Sequence, residues 1–142
     1  MLSIIIDTRE QTPWSFPEHL ATVQRGTLQA GDYALDGDDG FAIERKSLND
    51  FIGTISTGWG RFQRELERME VLKYPAKVVI VEAGIMEIIN GEYNHCKINP
   101  PFIFKRAAQL VMNGICVLFA DNPITAAGMA FNILKERDGQ IF

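Results

Sequence analysis

Apolar residues occur along part of the chain in short runs of the kind that form buried strands. Such runs predict strands at residues 2–6, 77–82 and 115–120. Two more strand candidates, residues 30–35 and 41–46, flank a stretch of turn-forming residues at 36–40. Because a dense turn signal between two strands is typical of a β-hairpin, we expect these two strands to pair.

Elsewhere the apolar residues recur at the three- and four-residue spacing of amphipathic helices. This spacing predicts helices at residues 47–56, 61–73, 85–90 and 102–113, and a last helix that starts at Pro123. Gly114 directly follows the fourth of these helices, where glycine is typical of a helix C-terminus. We therefore expect one α/β domain over residues 1–142, with about five strands and five helices.

The predicted hairpin places two acidic side chains opposite each other. If residues 36–40 form the loop, the register pairs Asp32 with Glu44. Directly opposed residues of an antiparallel pair share one face of the sheet, with Cβ atoms roughly 4.5–5.5 Å apart. Lys46 follows Glu44 by two residues and therefore lies on that face as well. A one-residue slip in register would break this arrangement.

Opposed carboxylates on one face are unfavourable unless a cation offsets their repulsion. Magnesium typically takes one or two carboxylates, keeps several waters and adds phosphate oxygens of a substrate. Such an ion polarises a phosphodiester and activates a bound water, while an adjacent ammonium stabilises charge developing on the phosphate. Asp32, Glu44 and Lys46 therefore predict a metal-dependent phosphodiesterase site. A solvated surface with a Glu44–Lys46 neighbour pair gives the same pattern and stays open at this level.

A longer set of residues around this pattern resembles a known nuclease family. Residues 44–50 read Glu-Arg-Lys-x-x-x-Asp, residues 31–33 read Gly-Asp-Tyr, and residues 7–10 read Asp-Thr-Arg-Glu at a predicted strand end. In this order the three segments resemble the nuclease motifs of the XPF family, and residues 51–55 and 61–66 are similar to the stretch that follows there. The resemblance implies a restriction-endonuclease-like α/β fold with a central mixed sheet of about five strands flanked by helices.

The resemblance also implies roles for individual residues. Asp32 and Glu44 are expected to bind Mg²⁺, for which Mn²⁺ is expected to substitute. Asp7 and the backbone carbonyl of Arg45 are expected as further ligands, and Lys46 as the catalytic lysine. The implied reaction is hydrolysis of one DNA strand near a branch point, such as a flap or a fork.

Other motif positions have less defined roles. Arg9, Arg45 and Arg61 are candidates for contacts to DNA, because a guanidinium fork suits phosphate oxygens. Glu10 and Asp50 match motif positions, but their residue types do not by themselves reveal a role.

Two of the motif segments also fit purely structural roles. Ser47-x-x-Asp50 ahead of an apolar pair is typical of a capping box at a helix N-terminus. Asp7 followed by Arg9 fits a local turn closed by an ion pair. A structural and a functional role can hold together at either position.

The charged helix and the loop aromatics leave alternatives open in the same way. Arg61 and Glu65 form an i, i+4 pair, which is typical of a solvated helix face as well as of a DNA-binding one. Trp14 and Trp59 are expected in loops, where they fit either stacking on exposed bases or coverage of the core edge.

The net charge of −4 argues against a protein that coats DNA non-specifically. It stays compatible with a nuclease, whose carboxylates cluster around a metal. No apolar run reaches the roughly 18 residues of a membrane span, and no secretory signal is evident at the N-terminus. We therefore expect an intracellular protein, in the cytoplasm or nucleoid, and a phage-encoded source is compatible with the sequence.

The two cysteines, Cys96 and Cys116, have no pairing pattern and are expected to be free thiols. Cys116 lies in an apolar run and is expected to be buried. Although His95 is adjacent to Cys96, the sequence offers no second cysteine or histidine nearby for a zinc site.

The last predicted helix has apolar residues on more than one face. The XPF family dimerises through the C-terminal part of its nuclease domain, so the resemblance implies a homodimer through the C-terminal helices. A helix enclosed in the core of the monomer is the alternative. Family members also usually carry a tandem helix-hairpin-helix domain, which this sequence does not show. We therefore expect a stand-alone nuclease, which fits either a phage or mobile element or a protein that obtains part of its DNA grip from a partner protein.

Two other functions compete with an active branch-specific nuclease. One is a catalytically silent DNA-binding or scaffold subunit of a nuclease complex. The presence of Asp7, Asp32, Glu44 and Lys46 together favours activity over this alternative. The other is a junction resolvase or restriction-type nuclease on the same fold, against which the full string at residues 44–50 argues.

Overall fold

The chain folds around one mixed sheet with helices on both faces. The structure is a computed structural model that describes residues 1–71, 77–95 and 97–141, without the side chains of residues 68–71 and 77. The strands are β1 (Leu2–Asp7), β2 (Ala21–Gly26), β3 (Tyr33–Leu35), β4 (Ala42–Lys46), β5 (Lys77–Val81) and β6 (Ile115–Phe119). The helices are α1 (Leu48–Ile55), α2 (Trp59–Val71), α3 (Ile85–Ile89), α4 (Pro100–Met112) and α5 (Pro123–Ile141).

Across the sheet, the strands follow the order β2, β1, β3, β4, β5, β6. β3 is antiparallel to both of its neighbours, β1 and β4, whereas the other adjacent strands are parallel. The expected α/β fold with a central mixed sheet is confirmed. β2 was not predicted from the sequence, because only Ala21 among its six residues is buried and no alternating pattern results. Backbone pairing with β1 holds this edge strand instead.

The β3–β4 hairpin has the expected register, with Tyr33 paired to Ile43. Asp32 directly precedes β3 and Glu44 directly follows Ile43, so the same register sets the two acidic residues against each other. Tyr33, Leu35 and Ile43 are buried. The hairpin therefore packs its apolar residues into the core and presents acidic residues on its other side.

Two apolar layers enclose the sheet, one on each face. Alternate residues of β5 illustrate this, because Val78 and Ile80 join one hydrophobic cluster and Val79 and Val81 join the other. The first cluster packs against α5, and the second packs against α1 and α4. Burial on both faces explains the continuous apolar run of this strand.

α5 contributes to the first of these clusters with a face of small residues. Ala126, Ala127, Ala130 and Leu134 are buried against the sheet. The alternative of a helix packed into the core is therefore observed for this face, while Ile124 in the first turn is 86% exposed.

Some expectations for individual positions are corrected. Cys116 is exposed rather than buried, because β6 is the last strand of the sheet and is covered on fewer sides. Trp59 is the first residue of α2 and not part of a loop. The expected end of this helix at residues 72–73 lies outside the described residues, as does Cys96. Within the described ranges, none of the helices combines the length and apolarity needed to cross a membrane.

Candidate active site

A groove of about 970 Å³ opens beside the β3–β4 hairpin. One wall is formed by the hairpin and the loops next to it, and the other by α1, the turn after it and the start of α2. Most residues that the sequence singled out line this groove, namely Arg9, Glu10, Asp32, Glu44, Lys46, Asp50 and Arg61. Tertiary structure thus gathers motif residues that are far apart in the chain.

Gly31 explains how Asp32 enters this wall. Gly31 has a φ of +76°, and a Cβ placed on it would lie 2.6 Å from the Cβ of Ala42. Only glycine tolerates both this backbone conformation and this close approach. The N–H of Asp32 then donates to the Ile43 carbonyl at 2.8 Å, and Oδ2 of Asp32 accepts from the backbone N–H of Arg45 at 2.8 Å.

The carboxyl groups of Asp32 and Glu44 both have raised pKa values. Burial raises the pKa of Asp32 to about 6. Burial and the nearby Asp32 carboxylate raise the pKa of Glu44 to about 7. Nζ of Lys46 lies 3.7 Å from Oε1 of Glu44 and partly opposes both rises. Two carboxylates with raised pKa values mark a place where a bound cation would stabilise their charged forms.

Glu10 adds a third negative charge to this region. Its charge contributes to the raised pKa of both Asp32 and Glu44. The side chain of Glu10 is 19% exposed, and its Oε1 is buried without a hydrogen-bond partner in the described part of the chain. The nearest cation contact is Nη1 of Arg45, at 3.7 Å from that oxygen. Glu10 therefore strengthens the negative potential of the groove.

Asp7 is fully buried and is not among the residues that line the groove. Its Oδ1 accepts from the N–H of Leu28 at 2.9 Å, and its Oδ2 accepts from Nε of Arg9 at 2.6 Å. Burial raises the pKa of the Asp7 carboxyl, but these hydrogen bonds outweigh it and hold the pKa below its ordinary value. The local ion pair weighed for Asp7 and Arg9 is present. A metal-binding role for Asp7 stays a prediction.

Arg45 points away from the groove, because successive side chains of a strand alternate between faces. Its Nε donates to Glu82, its Nη1 donates to the Thr12 carbonyl at 2.7 Å, and its guanidinium carbon lies 5.1 Å from the ring centre of Trp14. Burial lowers the pKa of Arg45, but the hydrogen bond to Glu82 outweighs it. The geometry does not support the expected contact between Arg45 and DNA, because this guanidinium is enclosed in its own network and only 19% exposed.

The donor set of the groove suits a hard divalent cation. Asp32 and Glu44 offer two carboxylates, and Mg²⁺ typically completes such a set with waters and substrate phosphates. Among the residues that the structure describes, no group of three or more His, Cys, Asp and Glu side chains is arranged to hold a metal. Two carboxylates completed by waters and substrate phosphates form an open site, and this is the arrangement that Asp32 and Glu44 fit.

The family model for the ERCC4 domain matches residues 6–133 of the chain. The chain belongs to the ERCC4 domain family. The resemblance to the XPF nuclease domain that the motifs indicated is thereby confirmed. This assignment covers both the groove and the strands that carry its residues.

Solved structures and one curated relative resemble this ERCC4 domain over nearly its whole length. XPF from Aeropyrum pernix in complex with DNA aligns with a TM-score of 0.71 and 21% identity, covering 99% of this chain and 66% of that chain. A second structure of XPF from Aeropyrum pernix gives a TM-score of 0.68 and 20% identity, covering 95% of this chain and 61% of that chain. These likenesses show the fold. MJ1505 of Methanocaldococcus jannaschii, named as an ATP-dependent RNA helicase, is 24% identical over 136 residues. This alignment covers 95% of the chain but only 16% of the length of that relative.

In this ERCC4 domain, Asp50 and Arg61 lie on the wall opposite the hairpin. Ser47 is the N-cap of α1, and its Oγ accepts from the Asp50 N–H at 3.1 Å. Within the described residues no return bond joins the Asp50 carboxylate to the Ser47 N–H, so only half of the expected capping box forms. The Arg61 side chain is 82% exposed and its Nε lies 3.4 Å from Glu65, as in a solvated helix face. Arg61 is accessible to a ligand in the groove.

The two tryptophans have structural positions in this domain. Trp14 is 4% exposed and stacks on Tyr33 with ring centres 4.4 Å apart. Trp59 lies under the guanidinium of Arg106, whose carbon is 4.3 Å from the ring centre. Nε of Arg106 donates to the Ile55 carbonyl at the end of α1, so this arginine caps a helix.

Part of the groove wall was not predicted from the sequence. Thr54 at the end of α1, and Thr57 and Gly58 in the turn between α1 and α2, line the groove as well. The sequence placed this turn only as the gap between the helices predicted at residues 47–56 and 61–73. One signal for its role was available in the sequence. The turn follows shortly after the motif at residues 44–50, so the chain that leaves it runs back past the groove.

Proposed function

We propose that this ERCC4 domain is a Mg²⁺-dependent DNA endonuclease that hydrolyses one strand near a branch point. The observation that carries the proposal is the arrangement of Asp32, Glu44 and Lys46 in one groove, on paired strands and with raised carboxylate pKa values. The family assignment supports the same reaction class. The specific fit of the site, and not the fold alone, supports catalysis.

The roles proposed for the site follow from charge and position. Asp32 and Glu44 would hold Mg²⁺, which when bound supplies an activated water and polarises the scissile phosphate. Lys46 would orient that water and stabilise negative charge on the phosphate, since its ammonium lies 3.7 Å from Glu44. Hydrolysis adds the water oxygen to phosphorus and releases one ester oxygen as a hydroxyl. Mn²⁺, which accepts the same oxygen ligands, is expected to substitute.

Contacts to the DNA backbone are proposed for exposed arginines at the rim of the groove. The side chain of Arg9 is 72% exposed and that of Arg61 is 82% exposed, and both residues line the groove. The two arginines lie on opposite walls of the groove, so a DNA strand bound between them would pass the carboxylates of Asp32 and Glu44. A guanidinium suits phosphate oxygens, and such contacts fix register without reading sequence. The resemblance to the XPF family is the reason for proposing branched DNA as the substrate. The structure of XPF from Aeropyrum pernix in complex with DNA supports DNA binding.

A homodimer through the C-terminal helices is part of the proposal. Ile124 at the start of α5 is exposed and could contact a second copy of the chain, whereas the alanine face of this helix packs on the sheet. Sedimentation of the wild-type protein and of Ile124→Lys tests this part, and a dimer that the substitution weakens is the expected result. A DNA-targeting partner protein and an intracellular location stay proposals as well.

Cleavage of labelled DNA tests the proposed function directly. Single-stranded, duplex, flap, fork and four-way-junction DNAs are incubated with Mg²⁺, Mn²⁺ or EDTA, using the wild-type protein, Glu44→Gln and Glu92→Gln. Glu92 is an exposed glutamate outside the groove and serves as the matched control. We expect flap or fork cleavage with either metal, its loss in EDTA, and a rate lowered at least about a hundredfold in Glu44→Gln only.

The other outcomes of this experiment identify the competing functions. Binding to branched DNA without cleavage by the wild-type protein would point to a silent scaffold subunit. Preferred cleavage of four-way junctions would indicate a resolvase, and cleavage of plain duplex would indicate a restriction-type enzyme. Cleavage that survives in Glu44→Gln would overturn the proposed site.

A further inference from the structure

β4 carries Glu44 and Lys46 into the groove, and a second set of contacts holds this strand from behind. Glu82 directly follows β5, the neighbour of β4. Its backbone N–H donates to the Lys46 carbonyl at 2.8 Å. Its Oε1 accepts from Nε of Arg45 and from the indole Nε1 of Trp14, the latter at 3.1 Å. One residue outside the groove thus holds two consecutive residues of the strand that forms the site.

We propose that Glu82 is a positioning residue of the candidate active site, fixing the strand segment that presents Glu44 and Lys46. The proposal rests on the nuclease function proposed above. Glu82 is not among the residues that line the groove, so it acts through Arg45 and the Lys46 carbonyl rather than on a substrate. None of the motif segments contains it.

Arg45 transmits the position of Glu82 to both carboxylates. Its backbone N–H donates to Oδ2 of Asp32, and it directly follows Glu44 in the strand. The Arg45 side chain is 19% exposed, and the Glu82 side chain is 11% exposed. In such a poorly solvated site a guanidinium needs a charged partner, and without the Glu82 carboxylate the remaining one is Glu10, whose Oε1 lies 3.7 Å from Nη1 of Arg45. Loss of the Glu82 charge would therefore displace Arg45 and, with it, the main chain between the catalytic side chains.

A carboxylate–arginine pair elsewhere in the domain provides a control that distinguishes an effect on the site from a general loss of stability. Asp38, in the hairpin turn, is 5% exposed and accepts from Nε of Arg137 at 2.8 Å and from Nη2 at 3.0 Å. Neither residue lines the groove. Asp38→Asn therefore removes one charge of a comparable pair at the far end of the same hairpin, and it is the matched control for Glu82→Gln.

Amide hydrogen exchange in the metal-free protein gives a readout that does not depend on activity. The amides that report are those of Arg45 and Glu82, whose N–H groups bond to Asp32 and to the Lys46 carbonyl. After correction for the global free energy of unfolding, we expect both amides to exchange about tenfold faster in Glu82→Gln than in Asp38→Asn. Equal exchange in the two variants would overturn the proposal. If Glu82→Gln does not fold, Trp14→Phe removes one donor to Glu82, and an unchanged exchange rate at both amides would overturn it.

Steady-state cleavage of the preferred DNA then measures the effect on the site. Glu82→Gln is expected to lower kcat about tenfold with KM changed less than about threefold, because it misplaces groups that act in the transition state but contacts no DNA. Asp38→Asn is expected to keep kcat within about threefold of the wild type. A kcat lost equally in both variants would show a general structural effect and overturn the proposal. Absence of any wild-type cleavage would instead refute the proposed function, and the exchange rates alone would then decide the role of Glu82.

Discussion

The backbone N–H of Arg45 donates a 2.8 Å hydrogen bond to Oδ2 of Asp32. This bond ties the residue between Glu44 and Lys46 to the carboxylate on the other strand of the hairpin. It engages one oxygen of Asp32 and so restricts the orientation of the carboxylate. The relative position of the proposed metal ligands is therefore fixed by main chain as well as by side-chain packing.

Substitution of Gly31 should disturb this hairpin more than substitution of any flexible turn residue. Gly31→Ala combines a positive φ with a Cβ 2.6 Å from that of Ala42. We expect the free energy of unfolding to fall by about 3 kcal/mol, of which backbone strain accounts for about 1. Gly37→Ala is the control, because Gly37 also has a positive φ, +83°, but has nothing within 4 Å of an added Cβ. Urea unfolding measures both, and equal losses would contradict the steric argument.

Lys46 should affect the rate of cleavage far more than the stability of the fold. Its side chain is 25% exposed and pairs with Glu44 at 3.7 Å. We expect Lys46→Met to lower kcat about a hundredfold, because the group that offsets charge on the phosphate is lost. Lys135→Met, an exposed lysine of α5, is the control and should leave kcat unchanged. Single-turnover cleavage makes the comparison, and a Lys46→Met rate near that of the wild type would remove Lys46 from the site.

The metal-free protein should lose stability as the pH rises through the range in which Asp32 and Glu44 ionise. Their pKa values in the folded state, about 6 and about 7, lie above those of unfolded carboxyl groups because of burial. The folded state therefore binds these protons more tightly. The resulting stabilisation is complete below about pH 4 and is lost as the pH rises through 6 and 7. With allowance for solvent screening, we expect a decrease of about 2 kcal/mol.

Chemical unfolding in EDTA between pH 4 and pH 8, roughly the range over which these groups titrate, tests this dependence. The double variant Asp32→Asn, Glu44→Gln is the control and should show a flatter profile. Added Mg²⁺ should stabilise the wild-type protein more at the upper end of this range, because binding requires both carboxylates to be ionised. Parallel profiles for the two proteins would contradict the raised pKa values.

The ion pair between Arg137 and Asp38 should stabilise the fold and confer sensitivity to acid. The hydrogen bond from Arg137 holds the pKa of the Asp38 carboxyl below its ordinary value, so its contribution is present above about pH 4 and is lost as the pH falls through the lower folded-state pKa. We expect Arg137→Met to cost about 2 kcal/mol near neutral pH, because Asp38 is left buried and unpaired. A double-mutant cycle with Asp38→Asn measures the coupling, and a coupling energy of zero would contradict the pair.

The sequence was sufficient to predict the local structure of the hairpin and most of the charged residues that line the groove. Its turn-forming residues set the register that pairs Tyr33 with Ile43, because the turn length leaves few alternatives. Apolar alternation then placed Asp32 and Glu44 on the opposite side from the core. β2 could not be predicted, because an exposed edge strand held by backbone bonds leaves no apolar pattern.

The sequence by itself determined which side chains are available for chemistry and, through strand alternation, which of them share a face. Only the tertiary structure decided their separate environments. It buried Asp7 in an ion pair with Arg9 and directed the Arg45 side chain away from the groove. It also placed Glu82, which directly follows β5, where its carboxylate pairs with Arg45. The physical reason is that periodicity is a local property of the chain. Burial, pKa values and ion pairs depend on residues far apart in sequence, whose proximity arises only when the sheet and its two helical layers pack together.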